Sequence, residues 1–241
     1  MCGHDMRKTP SVDVLVLQFD ADKGLGLLDR PLLASGCALD VRLGERAPDA
    51  LGAFGGLILL GGLADPDGDD PAIIAACAIA SEALARDVPT LGVCLGAEVL
   101  VRAAGGEIPR IEPEFGFKQV ALEPGAAADP LLAGLPPRFR VFQAHGFGCR
   151  PPAGSPILAR SPSGIQAFRI GPVAWGVQFH LEPDAAMVES WVTSAPVRAA
   201  LAEAGVDGAQ IVRDAARFTP DWAGWTAEVA GRFAAVVRDA A

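Results

Sequence analysis

Histidine is scarce in this sequence: 241 residues hold three, at His4, His145 and His180. A cysteine or serine nucleophile usually needs a histidine base, so few candidates exist. The cysteines are few and unpaired in pattern. Cys2, Cys37, Cys77, Cys94 and Cys149 make an odd number, lie far apart and form no CxxC. That excludes a disulfide framework and a zinc site of the usual spacing. Basic residues are outnumbered, 20 Lys plus Arg against 29 Asp plus Glu, for a net charge of −9. A nucleic-acid binder would carry a basic face. No apolar run reaches the roughly 18 residues of a membrane span. The opening "MCGHDMRKTP" places charges where a signal peptide has its apolar region. The expected location is the cytoplasm, with no membrane or nucleic-acid partner. No P-loop or similar nucleotide motif occurs, and nothing calls for a cofactor or metal.

What is present is apolar: 51% of the residues are hydrophobic, enough to bury a core. The first half alternates strand and helix patterns. "VDVLVLQF" (12–19), "ALDVRL" (38–43), "GGLILLGG" (55–62) and "VPTLGV" (88–93) read as strands, the third apolar enough to be buried on both faces. "GLLDRPLLAS", "PAIIAACAIASEALARD" (71–87) and "LGAEVLVRAAGG" read as helices, with Pro71 suited to a first turn. This rhythm predicts a mostly parallel sheet flanked by helices. From "FKQVALE" to "VAWGVQFH" the chain reads as short strands between Pro and Gly turns. They form an antiparallel extension that returns to a final core strand at 173–180. Beyond 184 the patterns are helical, "RAALAEAGVDGAQIVRDAARF" and "TAEVAGRFAAVVRDA" among them. One domain over 1–241 is expected, with a core at about 12–195 and a helical C-terminal extension at 196–241. Trp191, Trp222 and Trp225 read as helix-packing residues. The acidic "DPDGDD" (65–70) reads as a solvated loop or lid.

Three stretches carry chemistry. "TLGVCLGAE" (90–98) runs strand, tight turn, helix, with Cys94 at the corner. Gly92 and Gly96 suit a turn with no room for side chains. The following helix start favours thiolate, and the Leu95 N–H is placed to donate to an oxyanion. Alone, the pattern divides evenly between a nucleophile and a structural thiol. "GVQFHLEP" (176–183) ends an alternating strand in His180, with Glu182 two residues on. In extended chain both point to one side, so Glu182 can orient His180 while the other ring nitrogen faces Cys94. "LLGG" ends a strand at Gly61 and Gly62, whose backbone N–H groups can complete an oxyanion hole.

In this order, glycine loop, cysteine elbow and F-H-x-E, the sequence resembles the class I glutamine amidotransferase family, the Cys-His-Glu type. The resemblance covers roughly 12–190. "EFGFKQVAL" (114–122) and "FQAHG" (142–146) resemble the connecting strands of stand-alone members, similar to the glutaminase part of GMP synthase. It implies a flavodoxin-like α/β core and attack by Cys94 on the γ-glutamyl amide of glutamine. His180 would act as base and acid, Glu182 would orient it, and Gly62 and Leu95 would form the oxyanion hole. Gly61, Gly96, Glu98 and His145 would hold substrate, and a separate synthetase could accept the ammonia. Two further readings are a free-standing γ-glutamyl hydrolase acting on a γ-glutamyl amine, and a non-catalytic regulatory subunit on the same fold.

The chain departs from the family pattern at Glu98, where Gln is usual. A carboxylate one helical turn from Cys94 opposes thiolate formation. A protonated Glu98 could mimic the amide, an ionised one could recognise an amine, or the glutamine site is impaired. Altered substrate preference is the favoured expectation. His145 either lines the substrate pocket or is a structural strand histidine.

Overall fold

The computed structural model describes residues 11–240; Cys2, His4 and the charged opening stretch lie outside the described residues. Its centre is β1 (Val12–Gln18). Alternate side chains of a strand face opposite ways. Val14 and Val16 therefore join one core with Leu28, Phe233 and Val237, while Leu15 and Leu17 join another with Ile73, Ile79 and Val99. A strand apolar on both faces needs helices on both. They are supplied by α1 (Asp29–Ala34) and α6 (Gly208–Ala240) on one side, and by α2 (Pro71–Ala85) and α3 (Leu95–Ala103) on the other. Asp70 caps α2 by accepting from the Ala72 N–H at 2.8 Å, with Pro71 in the first turn.

Beside β1 lie β2 (Cys37–Leu43) and β3 (Gly56–Leu59), followed by β4 (Thr90–Val93) and β9 (Ala174–Val177), all in parallel register. The order β2-β1-β3-β4-β9 is the doubly wound arrangement expected, with sites at the carboxyl ends of the strands. The sheet continues antiparallel through β8 (Gly164–Ile170), β7 (Ile157–Ser161), β5 (Arg110–Leu122) and β6 (Arg138–Phe147). A bridge joins Phe142 of β6 to His180. The far edge thus curls back over the end of β9.

Two boundaries differ from the sequence reading. The final core strand stops at Val177, three residues before His180, because the chain leaves the ladder to meet β6. The C-terminal helices break at Gly205, which has φ +64, between α5 (Ala195–Glu203) and α6, whereas 208–240 is one helix through Pro220. That proline removes a helix hydrogen bond. The burial of Trp222, two residues on, outweighs the loss. Trp222 is fully buried, stacks on Phe117 at 5.0 Å between ring centres and donates to the Pro183 carbonyl at 3.0 Å. Among the described residues, no helix is long and apolar enough to cross a membrane.

Trp222→Ala is expected to cost about 3–5 kcal/mol, read by urea denaturation, with Trp222→Phe costing less. A loss under about 1 kcal/mol would contradict the placement of α6 in the core.

Candidate active site

Cys94 follows β4 directly and caps the start of α3, with φ 51 and ψ −112. A non-glycine residue in that region is strained, by about 1–3 kcal/mol, and needs its surroundings to hold it. The flanking glycines show how. A Cβ on Gly92 would lie 2.5 Å from the Gly96 carbonyl oxygen, and one on Gly96 would overlap the Leu59 carbonyl. Strand and helix therefore meet backbone to backbone, and the corner residue projects beyond the sheet. Its N–H donates to the Val177 carbonyl at 2.8 Å, which ties the elbow to β9.

His180 sits across from this corner. Its Nδ1 is 2.6 Å from Glu182 Oε1, and both side chains are buried. That leaves Nε2 for the Cys94 side, where the imidazole lowers the thiol and the thiol raises the imidazole; the Cys94 sulfur also lies 3.9 Å from the Ala144 carbonyl oxygen. The ring is wedged between Trp191, edge-on at 5.2 Å, and Phe142 at 5.7 Å. Burial opposes charge on His180. Glu182 and Cys94 outweigh it, and the imidazole is raised to about 10. Burial pushes the Cys94 thiol up, against the downward pull of His180; Glu98 and Glu182 add to the rise.

Gly61 packs beneath the pair: a Cβ there would lie 2.9 Å from His180 Cε1 and 3.7 Å from the Cys94 Cβ. A Cβ on Gly62 would lie 2.8 Å from Leu95 Cδ2. Among the described residues, the N–H groups of Gly62 and Leu95 have no acceptor. Gly62, Cys94, Glu98 and His145 line one cavity of about 190 Å³, with Leu63, Phe115, Pro196 and Val197 among its apolar walls. The sequence reading puts Gly61 and Gly96 at the substrate. They are not among the residues that line this cavity, and a side chain at either would meet His180 or the Leu59 carbonyl.

The cavity's polar fittings are only partly visible in the sequence. Glu98 is 3% exposed and accepts from Gln178 Nε2 at 2.9 Å. Gln178 in turn accepts from the Cys149 thiol at 3.1 Å. Burial raises Glu98, although the Gln178 bond and the two histidines pull it down. His145 donates from Nδ1 to the Phe147 carbonyl at 2.8 Å and turns Nε2 towards Glu114, 3.3 Å away. Gln178 stands inside the quoted "GVQFHLEP", but nothing in the pattern pairs it with Glu98. The acidic loop is tied down from two sides: Arg102 donates to the Pro66 and Gly68 carbonyls, and Arg110 pairs with Asp65 at 2.8 Å.

The fold and the paired His–Glu beside a cysteine elbow define a cysteine-centred α/β protein. The glutamine amidotransferase class-I family model matches residues 26–187, and the chain belongs to that family. Among curated relatives, GMP synthase (glutamine-hydrolyzing) of Aeropyrum pernix is 41% identical over 98 residues, 39% of this chain and 18% of that protein. A glutamine-hydrolyzing GMP synthase subunit from Ignicoccus hospitalis is 38% identical over 99 residues, 39% of this chain and 50% of that protein. Matches to these two relatives thus reach half of the relative's own length at most. Among solved structures, a glutamine amido transferase from Methylobacillus flagellatus superposes with a TM-score of 0.81 at 25% identity, covering 93% of this chain and 94% of that one. A glutamine amidotransferase from Thermotoga maritima shares the fold, with a TM-score of 0.82 at 24% identity, covering 94% of this chain and 99% of that one.

Removing the His180 cation takes away the force that lowers the Cys94 thiol. In His180→Ala, iodoacetamide labelling of Cys94 is expected to slow by about tenfold or more at neutral pH, with its profile displaced to higher pH. An unchanged profile would show that His180 does not act on the thiol.

Proposed function

We propose that this chain hydrolyses a γ-glutamyl amide, glutamine first, through a γ-glutamyl thioester on Cys94. The observation that carries the reading is the strained Cys94 elbow facing a buried His180–Glu182 pair. Cys94 sulfur, its proton held on His180 Nε2, attacks the amide carbon as the thiolate. The N–H groups of Leu95 and Gly62 are suited to receive the oxyanion. His180 then protonates the departing nitrogen, ammonia leaves, and water hydrolyses the thioester to release glutamate. Glu182 keeps the ring oriented and offsets its charge throughout. Burial gives these charges weight, since a buried ion pair interacts far more strongly than an exposed one.

The partner reading is a separate synthetase that takes up the ammonia. It is supported by the likeness to a protein named as a GMP synthase subunit. We take the chain as one amidotransferase domain, supported by the α6 residues Val229, Phe233 and Val237 in the same core as β1. A free-standing hydrolase of γ-glutamyl amines is the second reading. It is favoured by the apolar cavity walls at Leu63, Phe115, Pro196 and Val197, which suit an alkyl group.

The test is glutamate release from glutamine and from a panel of γ-glutamyl alkylamines. Cys94→Ala is expected to lower turnover by about a thousandfold or more, and Glu182→Gln by less. Full activity in Cys94→Ala would end the thioester mechanism. Preference for an alkylamine over glutamine would select the second reading.

A further inference from the structure

Glu98 is a buried acid whose surroundings supply no cation that is not already set against another carboxylate. Its hydrogen bond comes from the neutral amide of Gln178, and that amide is oriented by the buried Cys149 thiol. Among the described residues, no lysine or arginine forms an ion pair with it. The ionisable groups that face it are Cys94 at the head of its own helix, His180 beyond β9, His145 on β6, Cys149 beyond β6, and Asp65 on the acidic loop. His180 is already matched by Glu182, and His145 is set against Glu114. A carboxylate at 98 would be a buried charge without a partner of its own, which is costly. The neutral acid keeps the bond from Gln178 and gains an O–H to give away. Glu98 also lines the Cys94 cavity, so that O–H has somewhere to point.

We propose that Glu98 works as the neutral carboxylic acid, held in place by the Cys149–Gln178–Glu98 chain, and donates a hydrogen bond to an acceptor oxygen of the γ-glutamyl substrate. This deepens the amidase reading and rests on it. The side chain then selects a neutral acceptor group at that point and disfavours an ammonium. The direction in which burial moves Glu98 agrees. Ionising Glu98 removes the donor and sets a negative charge beside Cys94, which raises the thiol. Both effects lower turnover as pH rises. Gln178 and Cys149 act as positioning residues.

The experiment compares Glu98→Gln with wild type across pH by two readouts. In glutamine hydrolysis, the ratio of mutant to wild-type kcat/KM is expected to climb by about tenfold or more from the acid to the alkaline side, because the amide cannot ionise. In thermal melting, the mutant is expected to gain on wild type as pH rises above 4.5, the ordinary glutamate value. The sign follows from linkage: a native acid with a raised pKa holds a proton that the unfolded chain has released, so wild-type stability falls through that interval. A pH-independent Tm difference would overturn the neutral acid whether or not the chain hydrolyses glutamine. Diverging Tm values with no turnover in any variant would sink the amidase reading and leave the state of Glu98 standing. Cys149→Ser, which keeps a donor, should preserve the wild-type pH profile. Cys149→Ala should move its alkaline limb upward, since the Gln178 bond pulls Glu98 down. Identical profiles in the two variants would remove Cys149 from the chain.

Discussion

The 2.6 Å contact between His180 and Glu182 is a buried ion pair, and much of the molecule serves to hold it. Each backbone carbonyl around Glu182 is taken. Leu181 accepts from the Thr226 hydroxyl at 2.8 Å, Glu182 from the Leu27 N–H at 2.7 Å, and Pro183 from the Trp222 indole at 3.0 Å. The N–H of His180 donates to Phe142 at 2.9 Å. Glu182 Oε2 is buried with no partner among the described residues, so His180 is its main compensation. Removing one member of such a pair typically costs about 3–5 kcal/mol. Glu182 in turn helps raise His180 to about 10.

These restraints explain why the C-terminal helix is part of the site and not an appendage. Thr226 and Trp222 lie on α6, some forty residues beyond the carbonyls they grip. The nearby α5 contributes Pro196, Val197 and Ala200 to the cavity wall. On the opposite side, the Cys94 elbow draws its strain from close backbone packing at Gly92 and Gly96. Two rigid supports thus face each other: a strained corner at the carboxyl end of the parallel strands, and a clamped loop beyond β9. The Cys94 and His180 side chains meet between them, and little in either support can move without breaking a buried contact.

The parallel half of the sheet was legible because its strands are short, apolar and separated by helical periods, as in "LILL" and "VLVL". The elbow was legible because its glycines have one plain steric purpose. The His180–Glu182 spacing was also readable, although the strand ends at Val177 and a single bridge to Phe142 replaces the expected ladder. What the sequence hid depends on distant contacts. Gln178 and Glu98 are 80 residues apart, and no local pattern joins them. Pro220 signals a break, yet α6 continues because tertiary burial of Trp222 overrides local propensity. Gly61 and Gly96 read as binding residues, and what the structure adds is that a side chain at either would meet His180 or the Leu59 carbonyl.

The chemistry proposed for the site requires that substrate become bonded to one particular sulfur. Cys37, Cys77 and Cys149 are the other described thiols; burial raises each of them, and Cys149 well above the ordinary range. The most direct measurement is mass analysis of protein acid-quenched during incubation with glutamine, followed by peptide mapping. The account predicts a γ-glutamyl adduct confined to the Cys94 peptide, disappearing as glutamine is exhausted. Glutamate release with an adduct on another cysteine, or with Cys94 unmodified throughout in a rapid-quench series, would contradict it.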